Sequence, residues 1–259
     1  MDLVISQGQY DLVFNLLSLT TATMLAAGLF FVLSRDQVST KYRPALVVSS
    51  LVVFIAGYHY FRIFHSWEGS FSPNGEGGMV SNGTFNEAYR YADWLITVPL
   101  LLVELVVVLG LSRSESSSML KKLVAASVLM IAAGYPGEIA DPETASGTIW
   151  LWWVVAMVPY VYILAVLFGQ LNTKIANESG DVKSLIGLAR TVLLVTWAFY
   201  PIAYLFPVFG LGASGEVGLQ VGYTIADITA KAGYGLVIYN IAVAKSRREE
   251  EPSVERAAA

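Results

Sequence analysis

The chain has 259 residues, of which 55% are hydrophobic and 14% charged, and its mean hydropathy is +0.58. That balance excludes an ordinary soluble domain and points to a bilayer as the solvent. The net charge of −4, without a Gly-rich phosphate loop, gives no sign of nucleic-acid binding. The absence of cysteine excludes disulfides and thiolate chemistry, and with only His59 and His65 no metal centre is expected.

Apolar runs of about the 20 residues that cross a bilayer recur along the chain. The first, 10–34, follows a segment with no basic n-region and no small-residue cleavage site, so it reads as a helix and not as a signal peptide. The second, 44–65, contains AGYHYFRIF with His59 and Arg62. The third, 88–111, carries RYADWLITVPLLLVELVVVLG, and the fourth, 119–136, ends in GYPGE. The fifth, 147–170, contains WLWWVVAMVPYVYIL; the sixth, 185–208, contains WAFYPIAY; the seventh, 217–243, contains Lys231. Backbone amides in hydrocarbon must bond within their own segment, which makes these runs helices despite their Val and Ile content. The expectation is an all-α membrane protein, a seven-transmembrane-helix bundle forming one domain over 1–259, with a solvated charged tail at 246–259.

Seven spans put the termini on opposite sides. Of the 16 Lys and Arg residues, all but Arg62, Arg90 and Lys231 fall in the first, third and fifth connections or the tail. The opposite connections are acidic or Gly-rich, with Glu68, Glu76, Glu87, Glu138, Asp141, Glu143 and Glu216. The positive-inside bias therefore puts the N-terminus outside and the C-terminus in the cytoplasm.

The three remaining basic residues lie in or at the ends of apolar runs, where an ionisable group is costly and faces the bundle interior with a partner. Lys231 is near the middle of YTIADITAKAGYGLVIYNIAVA, and Asp227 is one turn earlier on the same face. A structural ion pair is one reading. The other is a desolvated lysine that forms a Schiff base with a carbonyl ligand. In the third run, Asp93, Thr97 and Glu104 share one narrow stripe at about 100° per residue. Asp93 and Glu104 differ in height by about 16 Å, which argues against a catalytic dyad and for a vertical proton path. Arg90, one turn from Asp93, can pair with Asp93 or Asp227.

RYADWLITVPLLLVE and DITAK resemble the third- and seventh-helix signatures of microbial rhodopsins, and AGYHYFRIF, GYPGE and WAFYPIAY extend the resemblance over nearly the whole chain. The Asp, Thr, Glu triplet is similar to that of the proteorhodopsin and xanthorhodopsin group of outward proton pumps. By this resemblance all-trans retinal is bound covalently on Lys231 as a protonated Schiff base. Asp93 is then counterion and proton acceptor, Asp227 the second counterion and Glu104 the proton donor, held protonated among Leu and Val. Thr97 offers a hydroxyl to Asp93, and His59 matches a histidine that bonds the acceptor aspartate, although a lone His is more often structural. Trp94, Trp197, Tyr200, Pro201 and Tyr204 are expected along the polyene, and Tyr200 can also donate to Asp227. Leu101 is at the position where leucine accompanies green absorption in this family.

Some xanthorhodopsin-like pumps hold a carotenoid antenna at a glycine-lined opening in helix five. Alignment on Pro159 puts Trp153 there, so no antenna is expected. The implied activity is light-driven ion transport rather than enzyme catalysis, in a multi-pass protein of a bacterial-type inner membrane. A homo-oligomer such as a pentamer is a further family expectation. The alternative is a photosensory rhodopsin signalling to a membrane partner, a class that commonly lacks a carboxylate at the position of Glu104. No release group is identified; Glu138 and Glu216 are candidates.

Overall fold

The computed structural model describes residues 3–110, 113–142 and 144–257, with side chains for all of these except 113–116 and 250–257. Glu143 and the side chains of Arg113 and Arg256, which the sequence reading assigns to connections and tail, lie outside the described residues.

Helices α1 (Gln7–Ser34), α2 (Arg43–Gly69), α3 (Ala88–Leu109), α4 (Arg113–Glu138), α5 (Ser146–Asn177) and α6 (Gly180–Ala203) are each long and apolar enough to cross a membrane. Each packs against its predecessor. The seventh span comprises α7 (Gly212–Asp227), a π-helical segment (Ile228–Gly233) and α8 (Tyr234–Ala257); it lies against α1, α2, α3 and α6 and completes the bundle. Large apolar side chains face outward along the helices, Val158 on α5 being 70% exposed. Such a surface is stable only against lipid, so the protein is a multi-pass membrane protein.

Local sequence sets the ends. Ser6 and Gln9 form a reciprocal capping box at the start of α1, with Gln9 N donating to Ser6 Oγ at 3.2 Å and Ser6 N to Gln9 Oε1 at 2.9 Å. Gly110, at φ 65°, supplies the left-handed residue that closes α3. Helix α5 continues beyond the predicted end at 170, and α6 begins before 185, because LNTKIAN and GDVKS are helical although too polar to register as hydrophobic runs. Helix α6 stops at Ala203, short of the predicted 208, where the chain turns into the 3₁₀ segment Phe206–Phe209 containing Pro207.

Two features depart further from expectation. At the N-terminal end of the bundle, β1 (Val4–Ser6), β2 (Phe71–Pro73) and β3 (Gly78–Ser81) form an antiparallel sheet in the order β1-β3-β2. Ile5, Phe71 and Met79 of this sheet pack with Trp67, Tyr60 and Val13. At the opposite end, the segment read as a solvated tail continues α8 to Ala257 and is partly anchored. Lys245 is buried and donates to the carbonyls of Val108 and Leu109 at 3.0 and 3.2 Å, and Arg248 pairs with Glu178 at 3.2 Å. The Lys245 bonds satisfy carbonyls that the end of α3 leaves free. The two ends are called the sheet end and the tail end below.

Candidate functional site

Helix α3, helix α7 and the π segment bring the principal charges together at mid-bundle. Lys231 Nζ is 2.5 Å from Asp93 Oδ2 and 2.9 Å from Asp227 Oδ1, and all three residues are at most 2% exposed. The Lys231–Asp227 contact spans four residues and crosses into the π segment, a helical form that recurs at functional sites.

The two carboxylates differ in their surroundings. Asp227 Oδ1 accepts from the Tyr200 hydroxyl at 2.6 Å and from Trp94 Nε1 at 3.4 Å, and its Oδ2 accepts from the Tyr60 hydroxyl at 2.7 Å. Asp93 Oδ2 faces Lys231, whereas Asp93 Oδ1 is buried with no hydrogen-bonding partner among the described residues. His59 Nδ1 approaches that oxygen only to 3.9 Å, beyond hydrogen-bond reach, because the same nitrogen is 3.0 Å from the Ile55 carbonyl one turn earlier in α2. The expected His59–Asp93 contact is thus made at ion-pair distance and not as a hydrogen bond.

Of two other expected contacts, one is present and one is corrected. Thr97 offers its hydroxyl to Asp93, at the backbone carbonyl 2.9 Å away, the usual back-bond of a helical threonine to residue i−4. Arg90 bonds neither aspartate directly. Its guanidinium donates to the Tyr60 hydroxyl at 3.2 Å and to Gln220 Oε1, and its Nε lies 3.4 Å from Glu87 Oε2. Tyr60 thus links Arg90 to Asp227. Toward the sheet end, Gln220 Nε2 donates to Glu87 Oε1 at 2.6 Å and to Glu216 Oε1 at 2.8 Å, while Tyr91 donates to Glu138 Oε2 at 3.1 Å. Burial pushes the Glu87 carboxyl above its usual range, an effect that Arg90 opposes.

Glu104 lies fully buried in the half of the bundle toward the tail end. Ser49 of α2 donates to its Oε2 at 2.6 Å, and Oε1 has no protein partner among the described residues. Between the charges and α5, a cavity partly open to the exterior ends on Lys231 and Asp227. All six predicted pocket residues, Trp94, Leu101, Trp197, Tyr200, Pro201 and Tyr204, line it. Trp153 lines the cavity as well and donates from Nε1 to the Pro201 carbonyl at 2.8 Å. Gly134 of GYPGE lines it too. Tyr204 donates to the Gly134 carbonyl at 2.9 Å, and a Cβ on Gly137 would overlap the Tyr204 hydroxyl.

Sequence reasoning missed Tyr60, Gln220 and Ser49. Gln220 carried a usable signal, being a polar side chain inside an apolar run, whereas Tyr60 and Ser49 look like ordinary helix residues.

A family model described as bacteriorhodopsin-like protein matches residues 12–245. The crystallographic structure of xanthorhodopsin, a light-driven ion pump with dual chromophore, matches with a TM-score of 0.90 at 51% identity, covering 96% of this chain and 99% of that one. Thermophilic rhodopsin matches with a TM-score of 0.88 at 49% identity over the same shares. The blue-light absorbing proteorhodopsin of Gamma-proteobacterium Hot 75m4 is 33% identical over 231 residues, 88% of this chain and 85% of its own. With a family match over most of its length and the seven-helix bundle to go with it, this chain belongs to the bacteriorhodopsin-like family of microbial rhodopsins.

Proposed function

We propose that the protein is a light-driven outward proton pump that carries retinal on Lys231. The residues present fit that group. The cavity is lined almost wholly by apolar and aromatic side chains, and it ends on an amine held between two carboxylates. Retinal bound there as a protonated Schiff base supplies light absorption and the isomerisation that drives the cycle.

The chain's own residues then divide the work. Three donors from Tyr60, Tyr200 and Trp94 hold Asp227 as a carboxylate, a fixed anion beside the Lys231 nitrogen. Asp93 keeps one oxygen with no hydrogen-bond donor among the described residues, so it is the carboxylate able to take the proton from Lys231. This inequality between two carboxylates at one nitrogen is the observation that carries the reading. From Asp93 the proton leaves past Arg90 toward the carboxylates of Glu87, Glu216 and Glu138. Glu104, neutral in its apolar surroundings, returns a proton to the Lys231 nitrogen from the tail end. With the tail end cytoplasmic, as the Lys and Arg distribution indicates, net movement is outward. Each charge moved against about 100 mV costs about 2.3 kcal/mol.

The indole of Trp153, engaged with Pro201 at the cavity wall, supports the reading that retinal is the sole chromophore. Added hydroxylated carotenoid should then pass no excitation to retinal, and energy transfer would refute the exclusion.

The test is illumination of intact cells that express the protein and are supplied with retinal. External acidification that an uncoupler abolishes is the expected result. Colour without any pH change would favour the photosensor.

A further inference from the structure

Two buried oxygens in the half of the molecule toward the tail end lack protein partners. Glu104 is 0% and Tyr234 3% exposed, yet neither Glu104 Oε1 nor the Tyr234 hydroxyl reaches a hydrogen-bonding partner among the described residues. Such groups bear the whole cost of desolvation, which is why buried polar atoms are nearly always bonded, to ordered water where protein does not serve.

The two lie on helices that pack together: Tyr234 opens α8, which contacts α3, and it shares one apolar cluster with Leu102 and Leu105, which flank Glu104 in α3. The pair is not directly hydrogen-bonded. Glu104 Oε2 is already occupied by Ser49, so Oε1 is the oxygen left to serve. Tyr234 is also tied to the lysine. It follows the π segment immediately, its amide donates to the Lys231 carbonyl, and its side chain lies one turn beyond Lys231. Tyr234 packs in one apolar cluster with Leu101, Leu105, Leu193 and Trp197, side chains that offer its hydroxyl no oxygen acceptor.

We propose that Glu104 Oε1 and the Tyr234 hydroxyl together hold a water molecule, and that this water is the first station for the proton travelling from Glu104 to the Lys231 nitrogen. The proposal rests on the reading of Glu104 as donor. In the transfer, the Glu104 carboxylic O–H bond breaks and its proton joins the water. The water releases one of its own protons toward Lys231, whose nitrogen gains an N–H bond. Glu104 is left as a carboxylate until it is reprotonated from the tail end, and Tyr234 stays neutral throughout. Tyr234 is thus a positioning residue, acting by orienting the water.

Tyr234→Phe removes only the hydroxyl. Three readouts are compared with the unaltered protein: the infrared C=O stretch of protonated Glu104, the O–H stretch of bonded water that moves in H₂¹⁸O, and the reprotonation rate after a flash. The variant is expected to keep its visible colour, raise the C=O frequency, lose the water band and slow reprotonation several-fold. Unchanged C=O and water bands overturn the proposal whatever the rate does, since slowing alone would reflect altered packing. The unaltered chain gives a check that needs no variant, because absence of any water band sensitive to H₂¹⁸O would also overturn it. Glu104→Gln separates the two levels. If it slows reprotonation while Tyr234→Phe leaves all three readouts unchanged, the water site fails and the pump reading stands; if it does not slow reprotonation, the donor assignment itself fails.

Discussion

Asp93 and Asp227 both touch the Lys231 nitrogen, but they differ in what else binds them, and substitutions separate their roles. Asp93→Asn removes the anion 2.5 Å from the nitrogen, so the visible band should move to longer wavelength and transport should cease. An unshifted spectrum would mean that Asp93 is not the counterion. Glu104→Gln leaves the chromophore's surroundings intact and should slow reprotonation by about 100-fold, the lower end of what a positioned proton donor contributes. A photocycle of normal duration would remove Glu104 as donor. Leu101 lines the cavity, and green absorption follows from the family resemblance, so Leu101→Gln is expected to move the band toward the blue. The acidic stripe was readable from helical periodicity, because Asp93 and Glu104 sit in a run with no other charge between them. The inequality between Asp93 and Asp227 was not, since it depends on Tyr60 reaching Asp227 from another helix, over 167 positions of sequence.

At the scale of elements, close helix contacts depend on residues with no side chain. A Cβ on Gly137 would meet the Tyr204 hydroxyl, and one on Gly235 would come within 2.5 Å of the Phe31 ring. Gly137→Ala and Gly235→Ala should each destabilise the protein by about 1–3 kcal/mol through overpacking, read as a lower Tm in detergent. Gly147, with open space around its Cβ position, is the control, and a Tm as low there would contradict the packing account. Hydropathy made the spans legible because lipid demands long apolar helices. It could not reveal the π segment, since DITAKAG contains nothing that an ordinary helix would refuse, and the Asp227–Lys231 spacing reads the same in either form. The sheet was hidden for a different reason. Its strands have only three or four residues each, and its turn relies on Gly75 and Gly77 at φ 79° and 85° within a stretch that reads as a Gly-rich connection.

At the scale of the whole molecule, direction of transport follows from orientation. If the tail end is cytoplasmic, an epitope added after the last residue should be labelled only in permeabilised cells; labelling of intact cells would reverse the direction assigned to the pump. In the proposed pump the chemistry rests on Lys231: of the other buried basic residues described, Arg90 is engaged toward the sheet end with Glu87, Gln220 and Tyr60, and Lys245 with the carbonyls that end α3. The most direct measurement is the visible spectrum of the purified protein titrated with all-trans retinal, followed by borohydride reduction and denaturation, for the unaltered chain and for Lys231→Ala. The account predicts a visible band and a reduced adduct that stays with the unaltered chain through denaturation, and neither for the variant. No band in the unaltered chain, or an adduct that persists in Lys231→Ala, would contradict it.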